Sequence, residues 1–304
     1  MKVLNIQRMS TEDGPGLRTT LFVKGCSLAC RWCHNPESIS PLSHIEWIDV
    51  RCIGCRTCVA VCPKGCIELD ERGVHTSTEC DACGTCVNEC PTQAREMKGE
   101  IFSPYELYNE LIKDRAYWGE DGGVTLSGGE ILMQSEDAAV LLRLLHENGV
   151  HTAVDTCGFV SKSAIDRVLP YTDMFLYDLK LFDEEEHIRF TGQSNRTILE
   201  NFEYLVLTGK RIWVRTPVIP GATDTDGNIR GIASVVRDRV EKWELCAFNN
   251  LCNDKYERLG KVWEFKNAEL MTKQRMDELT DIAKESGAER VVWSGLSRKG
   301  EINE

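Results

Sequence analysis

The chain has 304 residues, 36 basic and 48 acidic side chains and a net charge of −12, with 42% hydrophobic and 28% charged residues. That length can bury a core without disulfide staples, the composition is globular rather than disordered, and no apolar run approaches the roughly 18 residues that span a bilayer. The acidic balance opposes attraction to phosphate backbones, so neither nucleic acid nor a membrane is an expected partner, and a start without an apolar leader sets the expectation of a cytoplasmic protein. The abnormal number is fifteen cysteines, which in a reducing compartment point to metal rather than to disulfides.

In chain order the first element is the apolar, β-branched run RTTLFVKG at 18–25, a predicted strand that opens onto Cys26, Cys30 and Cys33, spaced CxxxCxxC. Three thiolates give an iron–sulfur cube three of its four ligands. One iron keeps open positions, as a cluster that binds and reacts with a ligand requires; a closed cluster only carries electrons. The plain alternative is a structural zinc on the three thiols, with His34 as fourth ligand. Next come Cys52, Cys55, Cys58 and Cys62, spaced x2, x2, x3 and followed by Pro63; the same run recurs at Cys80, Cys83, Cys86 and Cys90 before Pro91. This is the spacing of bacterial two-cluster ferredoxins, in which the fourth cysteine of each run serves the other cube. It assigns Cys52, Cys55, Cys58 and Cys90 to one [4Fe–4S] cluster and Cys80, Cys83, Cys86 and Cys62 to a second. Zinc competes for thiolate quartets, but its sites show two CxxC pairs and a long spacer rather than this repeat. Cys66, Cys157, Cys246 and Cys252 stand outside the groups and read as buried thiols acting as small hydrophobes.

Beyond the cysteine runs, strand-like segments at 123–129, 150–156, 173–180, 211–218 and 243–248 alternate with helical patterns. Ser103 with Pro104 starts one helix; Ser135 starts another that ends at Gly149, and 194–209 and 272–287 keep apolar residues at helical spacing before a glycine. Such alternation argues for an α/β fold with a parallel sheet, whose ligands gather at the carboxyl ends of the strands. CxxxCxxC, SGGE, DTCG and DLK all end a strand or follow one. Residues 48–97 interrupt the alternation as an insertion, dividing the chain into 1–47 with 98–304 and the ferredoxin-like insert.

With these motifs in place the chain resembles the glycyl radical enzyme activating enzymes of the radical S-adenosylmethionine (SAM) superfamily, in the subgroup with a two-cluster insert. The resemblance rests on NIQRMSTEDGPGLRTTLFVKGC, CHNPES, TLSGGE, DTCG, LYDLK, VRTPVIPG and NDKYERLGK, in order along nearly the whole chain. It implies a partial (β/α)6 barrel in which the site cluster donates one electron to bound SAM. Methionine leaves, and the 5′-deoxyadenosyl radical takes a hydrogen atom from a backbone glycine of a large partner enzyme. It implies that Gly128, Gly129 and Glu130 hold the SAM ammonium, and that Asp155, Thr156, Asp178 and Lys180 contact SAM or a monovalent cation beside its carboxylate. Arg215 and Asn228 are further SAM candidates, and the turn Asp13, Gly14, Pro15 and Gly16 is expected near the partner's glycine loop. Implied cofactors are three [4Fe–4S] clusters and SAM; implied partners are a glycyl radical enzyme and a flavodoxin or ferredoxin as electron donor.

The chain departs from the family pattern where Ile131 replaces the proline after SGGE, and where Ala247-Phe248-Asn249 replaces Pro-Tyr-His; neither change touches a metal ligand. A phosphate loop at SGGE is excluded, because no Gly-Lys-Ser/Thr follows. Three competing readings stay open at this stage: a radical SAM enzyme acting on a small molecule or peptide with auxiliary clusters, a ferredoxin-type electron carrier, and a zinc-dependent binding module.

Overall fold

The computed structural model describes residues 1–298. The chain opens with two antiparallel strands, β1 (Lys2–Ser10) and β2 (Arg18–Val23). The turn between them is pinned by Arg18, whose guanidinium is fully buried and donates to Thr125 Oγ1 (2.6 Å), the Val124 carbonyl (2.7 Å) and the Pro15 carbonyl (3.3 Å). Burial pushes its pKa down to about 10, against the pull of Asp13.

After β2 the cysteine loop leads through α1 (Pro36–Ile39) into a small unit of its own: β3 (His44–Trp47), α2 (Thr57–Val61), β4 (Ile67–Asp70), β5 (Gly73–Thr76), α3 (Thr85–Asn88) and β6 (Arg95–Lys98). β3 and β6 pair antiparallel, His44 opposite Lys98 and Trp47 opposite Arg95, and β4–β5 is a hairpin. The paired strands begin at His44 and end at Lys98, just outside the expected 48–97. This unit packs its own core, Ile67, Val74 and Cys86 with half-buried Ile45, Trp47 and Val59, separate from the main one.

β7 (Glu100–Ile101) returns the chain to β1. From there strand and helix alternate: α4 (Pro104–Leu111), β8 (Gly123–Gly128), α5 (Ser135–Glu147), β9 (His151–Thr156), α6 (Lys162–Val168), β10 (Met174–Asp178), α7 (Glu184–Thr191), α8 (Arg196–Leu207), β11 (Arg211–Val218), α9 (Asp226–Val236), β12 (Lys242–Ala247), α10 (Asn253–Arg258), α11 (Lys273–Glu285) and β13 (Val291–Ser294). The main sheet runs β13-β12-β11-β10-β9-β8-β2-β1-β7, parallel from β2 through β13. Its parallel strands follow sequence order without reversal, unlike those of a doubly wound sheet. All six predicted strands are present. A seventh parallel strand, β13, and the antiparallel pair at the other edge were not anticipated. β2 and β8 are buried almost throughout, as befits parallel strands covered on both faces. Among the described residues no helix is long and apolar enough to cross a membrane.

Candidate active site and cluster centres

Cys26, Cys30 and Cys33 lie on the loop that leaves the carboxyl end of β2. The loop's amides are held by the free carbonyls at the end of α7: Ala29 N–H donates to the Thr191 carbonyl (2.8 Å) and Arg31 N–H to that of Phe190 (3.0 Å). Burial pushes the Cys30 thiol up to about 12, and raises that of Cys33 with the Asn35 amide working against it. Cys26 is lowered, chiefly by a hydrogen bond from the Cys157 thiol, and the Leu28 amide also faces its sulfur (3.4 Å). Burial holds Cys30 and Cys33 neutral, so they need a strong local positive charge to become thiolates. A bound iron supplies it, so the donor set fits a metal cluster.

Around this loop the strand ends bring together most of the expected residues. Lys180 is half-buried beside Asp178, its ion-pair partner, and faces Cys30 and Cys157; burial alone would lower its pKa, but these neighbours raise it. Asp155 Oδ2 accepts from Ser127 Oγ (2.6 Å) and lies 3.7 Å from Arg215, while its Oδ1 is buried with no partner. Burial, then the charge of Asp178, pushes Asp155 up to about 7, with Arg215 and Ser127 opposing. Arg215 also approaches Asp13 (4.0 Å), and its Nε is buried and unpaired. Asp13, Asp155, Asp178, Lys180 and Arg215 therefore form one half-buried charged group with spare hydrogen-bonding capacity, as a site for a charged polar ligand needs.

Other expected residues are occupied differently. Glu130 is fully buried, and both its oxygens are taken by the chain: Thr156 Oγ1 (2.8 and 2.9 Å), the Cys157 amide (2.8 Å) and the Leu132 amide (3.0 Å). It is a tie between the SGGE and DTCG turns, and Thr156 is its counterpart. Gly128 and Gly129 serve a close approach within the chain, since a Cβ on Gly128 would stand 2.1 Å from the Val23 nitrogen and one on Gly129 2.2 Å from the Gly25 carbonyl oxygen. Asn228 brackets the loop after β10, accepting from the Phe182 amide (2.8 Å) and donating to the Lys180 and Thr223 carbonyls (3.1 and 3.0 Å). Asp13 accepts from Ser10 and Thr20 (2.6 and 2.8 Å), and Gly14, Pro15 and Gly16 continue the turn under Arg18. Cys157 is buried, as expected of a lone thiol, and it also stands beside Cys26; that second role carries no spacing signal, and its place in DTCG, after a strand end, was the available clue.

In the small unit the two four-cysteine runs interleave. Cys52, Cys55, Cys58 and Cys90 line one cavity, against Trp47; Cys62, Cys80, Cys83 and Cys86 line another, against Ile45, with Cys66 beside them. Cys55 and Cys83 are the exposed members. Among the described residues no three His, Cys, Asp or Glu side chains are set to hold a single metal ion, so the thiols surround spaces rather than meet at a point.

The family profile of the radical SAM superfamily matches residues 20–229. The trans-4-hydroxy-L-proline dehydratase activating enzyme of Clostridioides difficile is 38% identical over 283 residues, covering 91% of this chain and 94% of its own. The (2S)-3-sulfopropanediol dehydratase activating enzyme of Klebsiella oxytoca is 38% identical, covering 88% of each. A solved radical SAM methyltransferase from Sphaerobacter thermophilus superposes with a TM-score of 0.55 over 97% of this chain and 77% of its own, at 14% identity, a likeness of fold alone. Relatives matched along almost their whole length are activating enzymes, which sets aside the electron carrier, the zinc module and the small-molecule enzyme. The chain belongs to the radical SAM superfamily and, within it, to the activating enzymes of glycyl radical enzymes.

Proposed function

We propose that Cys26, Cys30 and Cys33 hold the [4Fe–4S] cluster of the family with one iron left open for SAM, within a partial barrel formed by the parallel strands. What the bound cluster supplies is one electron to SAM, which yields methionine and the 5′-deoxyadenosyl radical that takes a hydrogen atom from the partner's glycine. The chain's own residues bind and orient. Lys180 balances thiolate charge beside Cys30; Arg215 offers its unpaired Nε to the methionine carboxylate; and Asp155, through its unpartnered oxygen, and Asp178 suit the SAM ammonium or a monovalent cation. Glu130 and Thr156 fix the two turns that frame the site, and Asn228 fixes the backbone of Lys180. The Asp13–Gly16 turn, tied to this charged group through Asp13, is assigned to the partner's glycine loop.

We further propose that residues 44–98 carry two more [4Fe–4S] clusters, three in all, and relay electrons from a flavodoxin or ferredoxin. The interleaved thiol cavities support this, as does their order. The Cys62/Cys80/Cys83/Cys86 cavity lies against Ile45, beside the root of the unit at His44. The Cys52/Cys55/Cys58/Cys90 cavity lies against Trp47, two residues or about 7 Å further along the strand. The outer cavity is therefore assigned to electron entry and the inner one to delivery.

The observation that carries the reading is the meeting of an open three-cysteine loop with the charged group Asp155–Asp178–Lys180–Arg215. Anaerobic incubation of the reconstituted, reduced chain with SAM tests it: 5′-deoxyadenosine forms, and Cys30→Ala abolishes it. No 5′-deoxyadenosine from the parent overturns the reading. Replacing Cys55 and Cys83 by Ala is expected to slow cleavage driven by flavodoxin more than cleavage driven by dithionite; equal rates with both donors overturn the relay.

A further inference from the structure

A parallel strand reaches its neighbour through one crossover helix, and α11 is that helix between β12 and β13. The chain at 248–272, with the short helix α10, is surplus to the crossover and runs to the cysteine loop instead. There Tyr256 Oη donates to the Cys33 carbonyl (3.0 Å) and Trp263 Nε1 to the Arg31 carbonyl (3.2 Å). Lys255 Nζ donates to Asn35 Oδ1 (2.5 Å) and pairs with Glu37 (3.0 Å), whose other oxygen is buried and unpartnered. The Tyr256 and Trp263 rings stack at 5.3 Å and 18°, 7% and 3% exposed, with Phe248 and His34 against Trp263. From the same helix Arg258 reaches the other way, to Glu46 on β3 (3.4 Å), a residue only 4% exposed. The loop is thus gripped from two sides, its amides by the end of α7 and its carbonyls by these late aromatic residues.

We propose that residues 253–263, acting through Lys255, Tyr256 and Trp263, are the positioning element that sets the peptide orientations of the CxxxCxxC loop, and with them the reduction potential of the site cluster. This rests on the assignment of Cys26, Cys30 and Cys33 to that cluster. In a trans peptide the carbonyl and the following amide point in opposite directions, so drawing the Cys33 carbonyl toward Tyr256 also fixes the amide that follows it. The next amide, that of Asn35, lowers the Cys33 thiol against its burial. Amide-to-sulfur bonds stabilise the added negative charge of a reduced cluster, so loosening these peptides makes reduction harder. Lys255 acts in the same direction by offsetting Glu37 next to the loop.

The test is redox titration of the reconstituted full chain followed by electron paramagnetic resonance, the site cluster being the signal that changes on adding SAM. Tyr256→Phe and Lys255→Met are expected to shift its midpoint to more negative potential while iron stays at about twelve per chain. Lys255→Arg restores the parent value, and Arg258→Met, which faces Glu46 rather than the loop, leaves it unmoved. Parent-like midpoints in Tyr256→Phe and Lys255→Met overturn the proposal, as does a shift in Arg258→Met equal to theirs. Should Tyr256→Phe fail to load iron, the Lys255 pair decides, and equal midpoints for Met and Arg overturn it. A parent with no SAM-responsive signal defeats the cluster assignment itself, and the proposal with it.

Discussion

Glu130 keeps a carboxylate in the core by surrounding it with donors: one hydroxyl, Thr156, and two amides, Leu132 and Cys157. Glu130→Gln keeps the shape but turns an NH2 toward a donor, leaving a buried clash of like groups. A loss of about 1–3 kcal/mol follows, read as a lower urea midpoint; an unchanged midpoint shows that these bonds do not form. Gly128 makes a second case. Its φ of +128° and a would-be Cβ 2.1 Å from the Val23 nitrogen put both strain and backbone overlap on any side chain. At Gly209, φ is +69° but nothing lies within 4 Å. Gly209→Ala is expected to cost about 1–2 kcal/mol from the backbone angle alone. Gly128→Ala adds the overlap with rigid backbone and is expected to yield little folded protein by circular dichroism. Similar losses in the two variants would show that the approach of β8 to Val23 is not tight.

At the scale of single elements, α4 illustrates what could be read in advance. Ser103 caps it by accepting from the Glu106 amide (3.2 Å), Glu106 returns the bond to the Ser103 amide (2.8 Å), and Pro104 fills the first turn. Ser103→Ala is expected to cost about 1 kcal/mol, with Ser103→Thr recovering most of it, in urea titrations of the holoenzyme; equal stability of Ala and parent contradicts a working cap. The start expected at Ser135 is where α5 begins, but Gln134 rather than Ser135 takes the cap position, because a 3-10 turn at Ile131–Gln134 precedes the helix. The six parallel strands β2 and β8 to β12 were legible from apolar runs bounded by turn residues, whereas β1, the longest strand, alternates too little and is half polar. β13 was not legible either, since VVWS is only four residues long with two of them half-buried. Asp155, Asp178, Lys180 and Arg215 were named through the family motifs that carry them; the first three sit at or just past a strand end, whereas Arg215 lies within β11. The grip of Tyr256 and Trp263 on the cysteine loop was not legible: partners more than 220 residues apart meet only once the sheet has wound, and no local pattern encodes that.

For the whole molecule, the two hydrophobic clusters are unequal in a way that separates their dependence on metal. The main core gathers side chains from eight of the sheet's nine strands and the helices around them, whereas in the unit at 44–98 the buried apolar side chains are those of Cys66, Ile67, Val74, Cys86 and Ala94. So small a core falls short of the ordering entropy of some fifty residues, which at roughly 1–2 kcal/mol each needs an added source of stability. On the proposed assignment, clusters held by the eight thiols around two cavities are that source, because binding free energy is then folding free energy. Removing iron anaerobically with a chelator should therefore unfold 44–98 while β8 through β12 stay folded. Hydrogen exchange read by mass spectrometry is expected to show protection lost in peptides covering 48–97 and kept in those covering 123–128 and 174–178. The cysteine loop at 26–37 should lie between these extremes, since it loses the metal but keeps its bonds to α7 and to Tyr256. Full protection of 48–97 in the iron-free chain would mean that the unit folds on its apolar contacts alone, and that its cysteines are not what holds it.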